Sequence, residues 1–322
     1  MAVGKIFRCI TDTRARLCAC LLVALPAFVF ATVPESSEPA PLAARSLLLD
    51  VARAGKNIVA VGNRGHVIIS QDEGKTWNQS ITPTRAMLTG VSFVDEQHGW
   101  AVGHDGVILA TTDGGRSWQR QDSGNDLETV FLDVHFYDAN HGTVVGAYGK
   151  FLVTEDGGKT WTARRPGEAD LHLNRILAGP DGATFIVGEA GSFLQSHDQG
   201  KTWRPIDVPY QGSLFALVPV DKDTVIVAGL RGHILTTHDD GATWTEHNNT
   251  VKVLISTGIR LRDGTIVLAG QGGNFFLSRD SGKNFRHWQP VDFNTSIAEI
   301  IPAANNSIIA VGEAGAVRLN LP

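Results

Sequence analysis

The side chains able to do covalent or acid–base chemistry are few and scattered. Tyr137, Tyr148 and Tyr210 are the only phenols, and none has a glutamate at a spacing that would activate it as a nucleophile. The 11 histidines include no H-x-H or H-E-x-x-H arrangement, so no metal site is expected. Cys9, Cys18 and Cys20 all fall within the first 31 residues, leaving the rest of the chain without a disulfide or thiolate ligand. No P-loop occurs, no cofactor is expected, and the glycine pairs present separate two apolar runs. Carboxylates are abundant enough for loops to pair two of them for glycoside hydrolysis. One acidic set is regular: Asp72, Asp113, Asp156, Asp198, Asp239 and Asp280. Such a set could ligate calcium, but a turn-capping role accounts for all six at once.

These aspartates belong to an eight-residue phrase, S/T-x-D-x-G-x-S/T-W. It is clearest at residues 154–161 and recurs at 70–77, 111–118, 196–203, 237–244 and, with Phe285 for tryptophan, 278–285. The copies start 41, 43, 42, 41 and 41 residues apart. A G-x-x-G phrase precedes each, at Gly62/Gly65, Gly103/Gly106, Gly146/Gly149, Gly188/Gly191, Gly229/Gly232 and Gly270/Gly273; a seventh stands at Gly312/Gly315. A fixed period of about forty residues built from short strands marks a β-propeller. The expected fold is all-β, a seven-bladed β-propeller of four-stranded repeats over residues 45–322.

Each phrase has a structural reason. Two residues between the glycines join apolar runs such as 100–102 and 107–109. A two-residue hairpin turn takes positive φ, which glycine adopts without steric cost. In the other turn the aspartate caps backbone amides. The aromatic residue that follows (Trp77, Trp118, Trp161, Trp203, Trp244 or Phe285) is placed to seal one blade against the next. The second repeat gives the expected strands: 88–94, 100–102, 107–111 and 117–121. The seventh offers 297–301, 308–311 and 316–319 but no fourth strand. The spacer 31–41 is expected to pair with that open edge and close the ring, within the limits set by Pro34 and Pro39.

Residues 1–31 read as a secretory signal peptide. Lys5, Arg8, Arg14 and Arg16 precede an apolar run at 17–31, and residues 29–31 end in small side chains where a peptidase reads them. A retained anchor is the alternative, but the run is short for a spanning helix and contains Pro26. The expected destination is the periplasm, with thylakoid lumen or extracellular space as alternatives. Residues 32–44, rich in Pro, Glu and Ser, read as a flexible spacer. Formal charge is −5 overall and +3 over residues 1–31, hence −8 for the remainder, which argues against nucleic acid as a partner. A monomer is expected.

The complete unit is an inner strand followed by H-G-W-A-V-G-x-x-G-x-I-L-x-T-x-D-G-G-x-S/T-W. It is clearest at residues 98–118 and resembles the photosystem II stability/assembly factor family and its bacterial relatives. The likeness covers about residues 45–322. It implies an exported seven-bladed propeller that binds a membrane-protein client as an assembly or accessory factor and catalyses nothing. The aspartate phrase alone also matches the Asp-box, or BNR repeat, of sialidases. A secreted glycan-binding or sialidase-like propeller is therefore the alternative. Sialidase chemistry needs three arginines and a tyrosine–glutamate pair, and its Phe-Arg-Ile-Pro type segment has only a poor echo at residues 174–177.

Recognition is expected on the face that carries the connections between blades and the glycine turns. Its candidates are Arg85, Arg164, Arg165, Tyr210 and Trp288 from connections, and Arg64, Tyr148 and Arg231 from turns. Trp288 lies outside the repeat pattern and carries no assigned packing role. Counting back from each glycine turn aligns Gly90, Asp133, Arg175, Ala216, Thr257 and Glu299 at one inner-strand position. Polar or small residues there suit a wet central channel, with Asp133, Arg175 and Glu299 as an ion-paired plug.

Overall fold

The computed structural model describes residues 35–124 and 127–322. The proposed signal peptide and the first residues of the spacer lie outside them. The described strands form seven antiparallel sheets, six of four strands and one of three, each meandering in chain order. Blade 3 shows the plan: Phe131–Phe136 innermost, then Gly142–Gly146, Phe151–Thr154 and, outermost, Thr162–Ala163. The second strand of every blade is buried along nearly its whole length, which explains why those strands read as continuous apolar runs.

The core is seven seams, one between each pair of neighbouring blades. Between blades 2 and 3, Trp100, Val102 and Ile108 meet Phe131, Val134, Phe136, Val144 and Leu152. The Asp-box aromatic of each blade packs on the seam with the blade before it. Trp161 does so edge-on to Phe136, with ring centroids 5.9 Å apart; Trp77, Trp118, Trp203, Trp244 and Phe285 repeat the arrangement. Blade 7 has no box, so the seam between blades 6 and 7 is filled differently, by Trp288, Phe293, Leu319 and Leu321. Trp288 lies 4.9 Å from the Phe275 ring. It has a packing role that its position outside the repeat did not suggest.

The two glycines of each turn serve different purposes. Gly146 is extended (φ −163°), and a Cβ there would lie 2.4 Å from the Val130 carbonyl oxygen. Positive φ falls instead on Tyr148 (53°) and Gly149 (69°). The first glycine of this turn is thus a close approach, and the left-handed positions are the third and fourth.

The expected closing strand from residues 31–41 is not formed by the described part of that segment. Ser37 and Thr82 exchange hydrogen bonds of 2.9 Å, Ala40 N–H donates to Gln79, and Glu35 and Glu38 pair with Arg85. The spacer therefore lies along blade 1, tied largely by side chains, as Pro34 and Pro39 leave it little backbone pairing. The ring closes through packing instead, with Ile309 and Val311 of blade 7 against Leu48, Val51, Ile58 and Ala60 of blade 1.

Candidate functional site

An antiparallel meander puts alternate turns on opposite faces. Glycine turns and interblade connections share one face, and Asp-boxes the other. On the glycine-turn face each turn is pinned to the following connection: Gly106, Gly149 and Gly191 N–H groups donate to the Thr129, Leu171 and Gly212 carbonyls. In the first five turns the penultimate residue projects in a left-handed conformation: Arg64, Asp105, Tyr148, Ala190 and Arg231, with φ between 53° and 58°. Non-glycine residues rarely hold this geometry, and here five, of four different types, display it around one ring. Arg64 and Arg231 are exposed. Tyr148 is 73 % exposed, its ring edge-on to His172.

All six large apolar side chains that are exposed among the described residues lie on this face: Leu42, Ile81, Leu127, Tyr148, Leu230 and Val291. Beside Tyr148 a groove of about 520 Å³ opens between the connections leaving blades 3 and 4. Leu173, Phe193, Ile206 and Val208 line it, with Arg165, Glu168 and Asp170 at its rim. Arg165 pairs with Asp170 at 3.1 Å, whereas Arg164 turns to Glu155 of the Asp-box at 3.5 Å. The two arginines are adjacent in sequence but do not act as a pair. Arg85 is engaged by the spacer, and Tyr210 donates its hydroxyl to the Leu230 carbonyl.

At the axis a cavity of about 170 Å³ is lined by residues of all seven inner strands. Asp133, Arg175 and Glu299 meet there and are joined by Asp50. Arg175 donates to Glu299 Oε2, and Glu299 Oε1 accepts from the Thr257 hydroxyl and the Ile300 N–H. Each aspartate clamps the next blade: Asp50 Oδ2 accepts from Val91 N–H at 2.6 Å, and Asp133 Oδ2 from Ile176 N–H at 2.9 Å. Burial pushes both carboxyls up, Asp133 to about 6; the other carboxylates add to the rise at Asp50. Burial opposes the charge on Arg175, but Glu299, Asp133 and Asp50 outweigh it and hold the guanidinium protonated.

On the opposite face the six boxes are near-copies. Asp156 Oδ1 accepts from the Thr154 hydroxyl and Thr160 N–H, both at 2.9 Å, and Oδ2 accepts from the Thr160 hydroxyl at 2.7 Å. Asp72, Asp113, Asp198, Asp239 and Asp280 repeat this pattern. The hydrogen bonds hold Asp72, Asp156, Asp198 and Asp280 at about 2. Their oxygens are committed to their own turn.

A family model described as Photosynthesis system II assembly factor YCF48 matches residues 77–129 and 121–318, well over half of the chain. The chain belongs to the YCF48 family. Among curated relatives, the photosystem II stability/assembly factor HCF136 of Cyanidioschyzon merolae is 34 % identical over 94 residues, 27 % of this chain and 21 % of that one. The alignment thus spans about a fifth of that relative's length. Among solved structures, YCF48 from Cyanidioschyzon merolae superposes with a TM-score of 0.71 at 21 % identity, covering 88 % of this chain and 97 % of the other. A YCF48 bound to D1 peptide gives 0.68 at 19 % identity, covering 93 % and 100 %. At these identities the superpositions establish a shared propeller fold, and the YCF48 relatives matched are named as assembly factors, not enzymes.

Proposed function

We propose that this chain is a non-catalytic assembly or accessory factor that binds a membrane-protein client on the glycine-turn face. The confinement of every large exposed apolar side chain among the described residues to that face carries the reading. Exposed apolar side chains spread over one face give it contact surface that the other face lacks, and divergent loops suit one asymmetric client better than six near-identical turns. The groove beside Tyr148, with its apolar floor and its Arg165–Asp170 rim, has the form of a site for a short peptide segment. A YCF48 structure is titled as bound to D1 peptide, which supports a peptide of a membrane protein as the ligand class.

Export fits the same reading. The basic, apolar and small-residue order of residues 1–31 supports a signal peptide, and with it a periplasmic or lumenal location. The full chain, affinity-tagged in its native host, should recover a membrane protein from detergent-solubilised membranes in stoichiometric amount. Recovery of none, together with binding on a glycan array, would favour the glycan-binding alternative.

A further inference from the structure

On the glycine-turn face the blades differ in how each connection is strapped to its own turn. Ser80, Gln121, Arg164, Ile206 and His247 stand opposite the first residue of the third strand in blades 1–5. Two residues further on, blades 1, 2 and 5 carry Thr82, Ser123 and Asn249. Each donates a side-chain hydrogen bond of 2.8 to 2.9 Å to a turn glycine of its own blade, at the carbonyl of Gly65, Gly106 or Gly232. The counterparts in blades 3 and 4 are Pro166 and Val208, which have no side-chain donor. The Gly149 and Gly191 carbonyls therefore lack this strap. The groove beside Tyr148 opens at this break, and Gly149, Pro166, Gly191 and Val208 all line it. Its ionisable side chains are Glu168, Asp170 and Asp207 against Arg165 alone. Arg165 is engaged by Asp170, whereas Glu168 and Asp207 are exposed and enter no ion pair among the described residues. An apolar floor is thus joined to an excess of acceptors and of negative charge.

We infer that this groove takes a cationic segment of the client, a lysine or arginine with an apolar side chain beside it. The cation carries donors only, and Glu168, Asp207 and the unstrapped glycine carbonyls offer it acceptors. The apolar neighbour would rest on Ile206 and Val208. An acidic segment would meet like charge at the rim and be excluded. At about 520 Å³ the groove has the size of a ligand pocket, roughly 300–1,000 Å³. The inference rests on the client-binding reading and deepens it by fixing the charge of the segment bound.

The probes are two fluorescein-labelled peptides, Gly-Ser-Leu-Lys-Leu-Arg-Ser-Gly and its acidic counterpart Gly-Ser-Leu-Glu-Leu-Asp-Ser-Gly. Titrated with the full chain, the cationic peptide should give saturable anisotropy and slow amide exchange in residues 206–208, and the acidic one should bind at least tenfold more weakly. Glu168→Gln/Asp207→Asn should weaken the cationic peptide at least tenfold without moving the melting temperature. Val208→Asn, which supplies the donor that blade 5 has at Asn249, should weaken it as well. Absence of saturable binding overturns the inference, as does equal binding of the two peptides or binding that leaves exchange at 206–208 unchanged. If the cationic peptide fails while the parent chain still recovers a membrane protein from solubilised membranes, the charge assignment falls and the client reading stands. If no membrane protein is recovered, the client reading falls and takes this inference with it.

Discussion

Arg175, on the inner strand of blade 4, reaches across the axis to the carboxylate of Glu299 on the inner strand of blade 7. Two blades lie between them in one direction around the ring and three in the other, yet one ion pair joins them. With Glu299 almost fully buried, removal of its partner leaves a buried charge without compensation. Arg175→Met should therefore cost about 3–5 kcal/mol, and the double change Arg175→Met/Glu299→Met should recover much of the loss. Denaturant melts of the three variants measure both.

The same cluster makes a prediction about pH. Asp133 titrates near 6 in the folded chain, against 3.8 as its ordinary value. The folded state therefore holds this proton more tightly than the unfolded state. Its contribution is fully present below pH 4 and is lost as pH rises toward 6. Asp133→Asn mimics the protonated form and should remove this dependence. From pH 4 to 7 the variant should gain on the parent by on the order of 2–3 kcal/mol.

The Asp-boxes act with the opposite sign. Hydrogen bonds lower Asp72, Asp156, Asp198 and Asp280 to about 2, so their contribution is present above pH 4 and lost as pH falls toward 2. Asp156→Asn should unfold at a higher pH-independent baseline cost but with a shallower acid transition than the parent. Thermal melts between pH 2 and 5 give the comparison.

Trp161 is half-buried and its indole N–H has no partner among the described residues. Trp161→Ala should destabilise by about 2–4 kcal/mol, below a fully buried aromatic. Trp161→Phe should be mild, since it keeps the contact with Phe136 and removes an unpaired donor. Trp288→Ala should also lower the melting temperature, because it opens the seam over Phe275.

The repeat and its strands were legible in the sequence because each rests on local chemistry: turn-capping aspartates, close-packed glycines and apolar runs. Asp50 was not. Blade 1 pairs Asp50 with Val61, eleven residues on, where blade 4 pairs Arg175 with Val187, twelve on. Its first hairpin is one residue shorter, so counting back from Gly62 lands on Leu49. Trp288 escaped for a related reason. Its role exists only because the next blade has no box, and a single repeat cannot show what its neighbour lacks. The divergence of Arg164 and Arg165 depends on partners at Glu155 and Asp170, which spacing does not reveal.

The central claim is that the client docks on the glycine-turn face. The most direct measurement is recovery of a membrane protein from solubilised membranes by three forms of the full chain. These are the parent, Leu127→Asp/Tyr148→Ala, and Lys75→Glu/Lys159→Glu/Lys201→Glu on the Asp-box face. Exposed aromatics of this kind often dominate interface energy, with truncation costing roughly 2 kcal/mol or more. The account predicts recovery by the parent and the lysine variant, and at least a tenfold loss with Leu127→Asp/Tyr148→Ala at unchanged melting temperature. Loss with the lysine variant alone would contradict it.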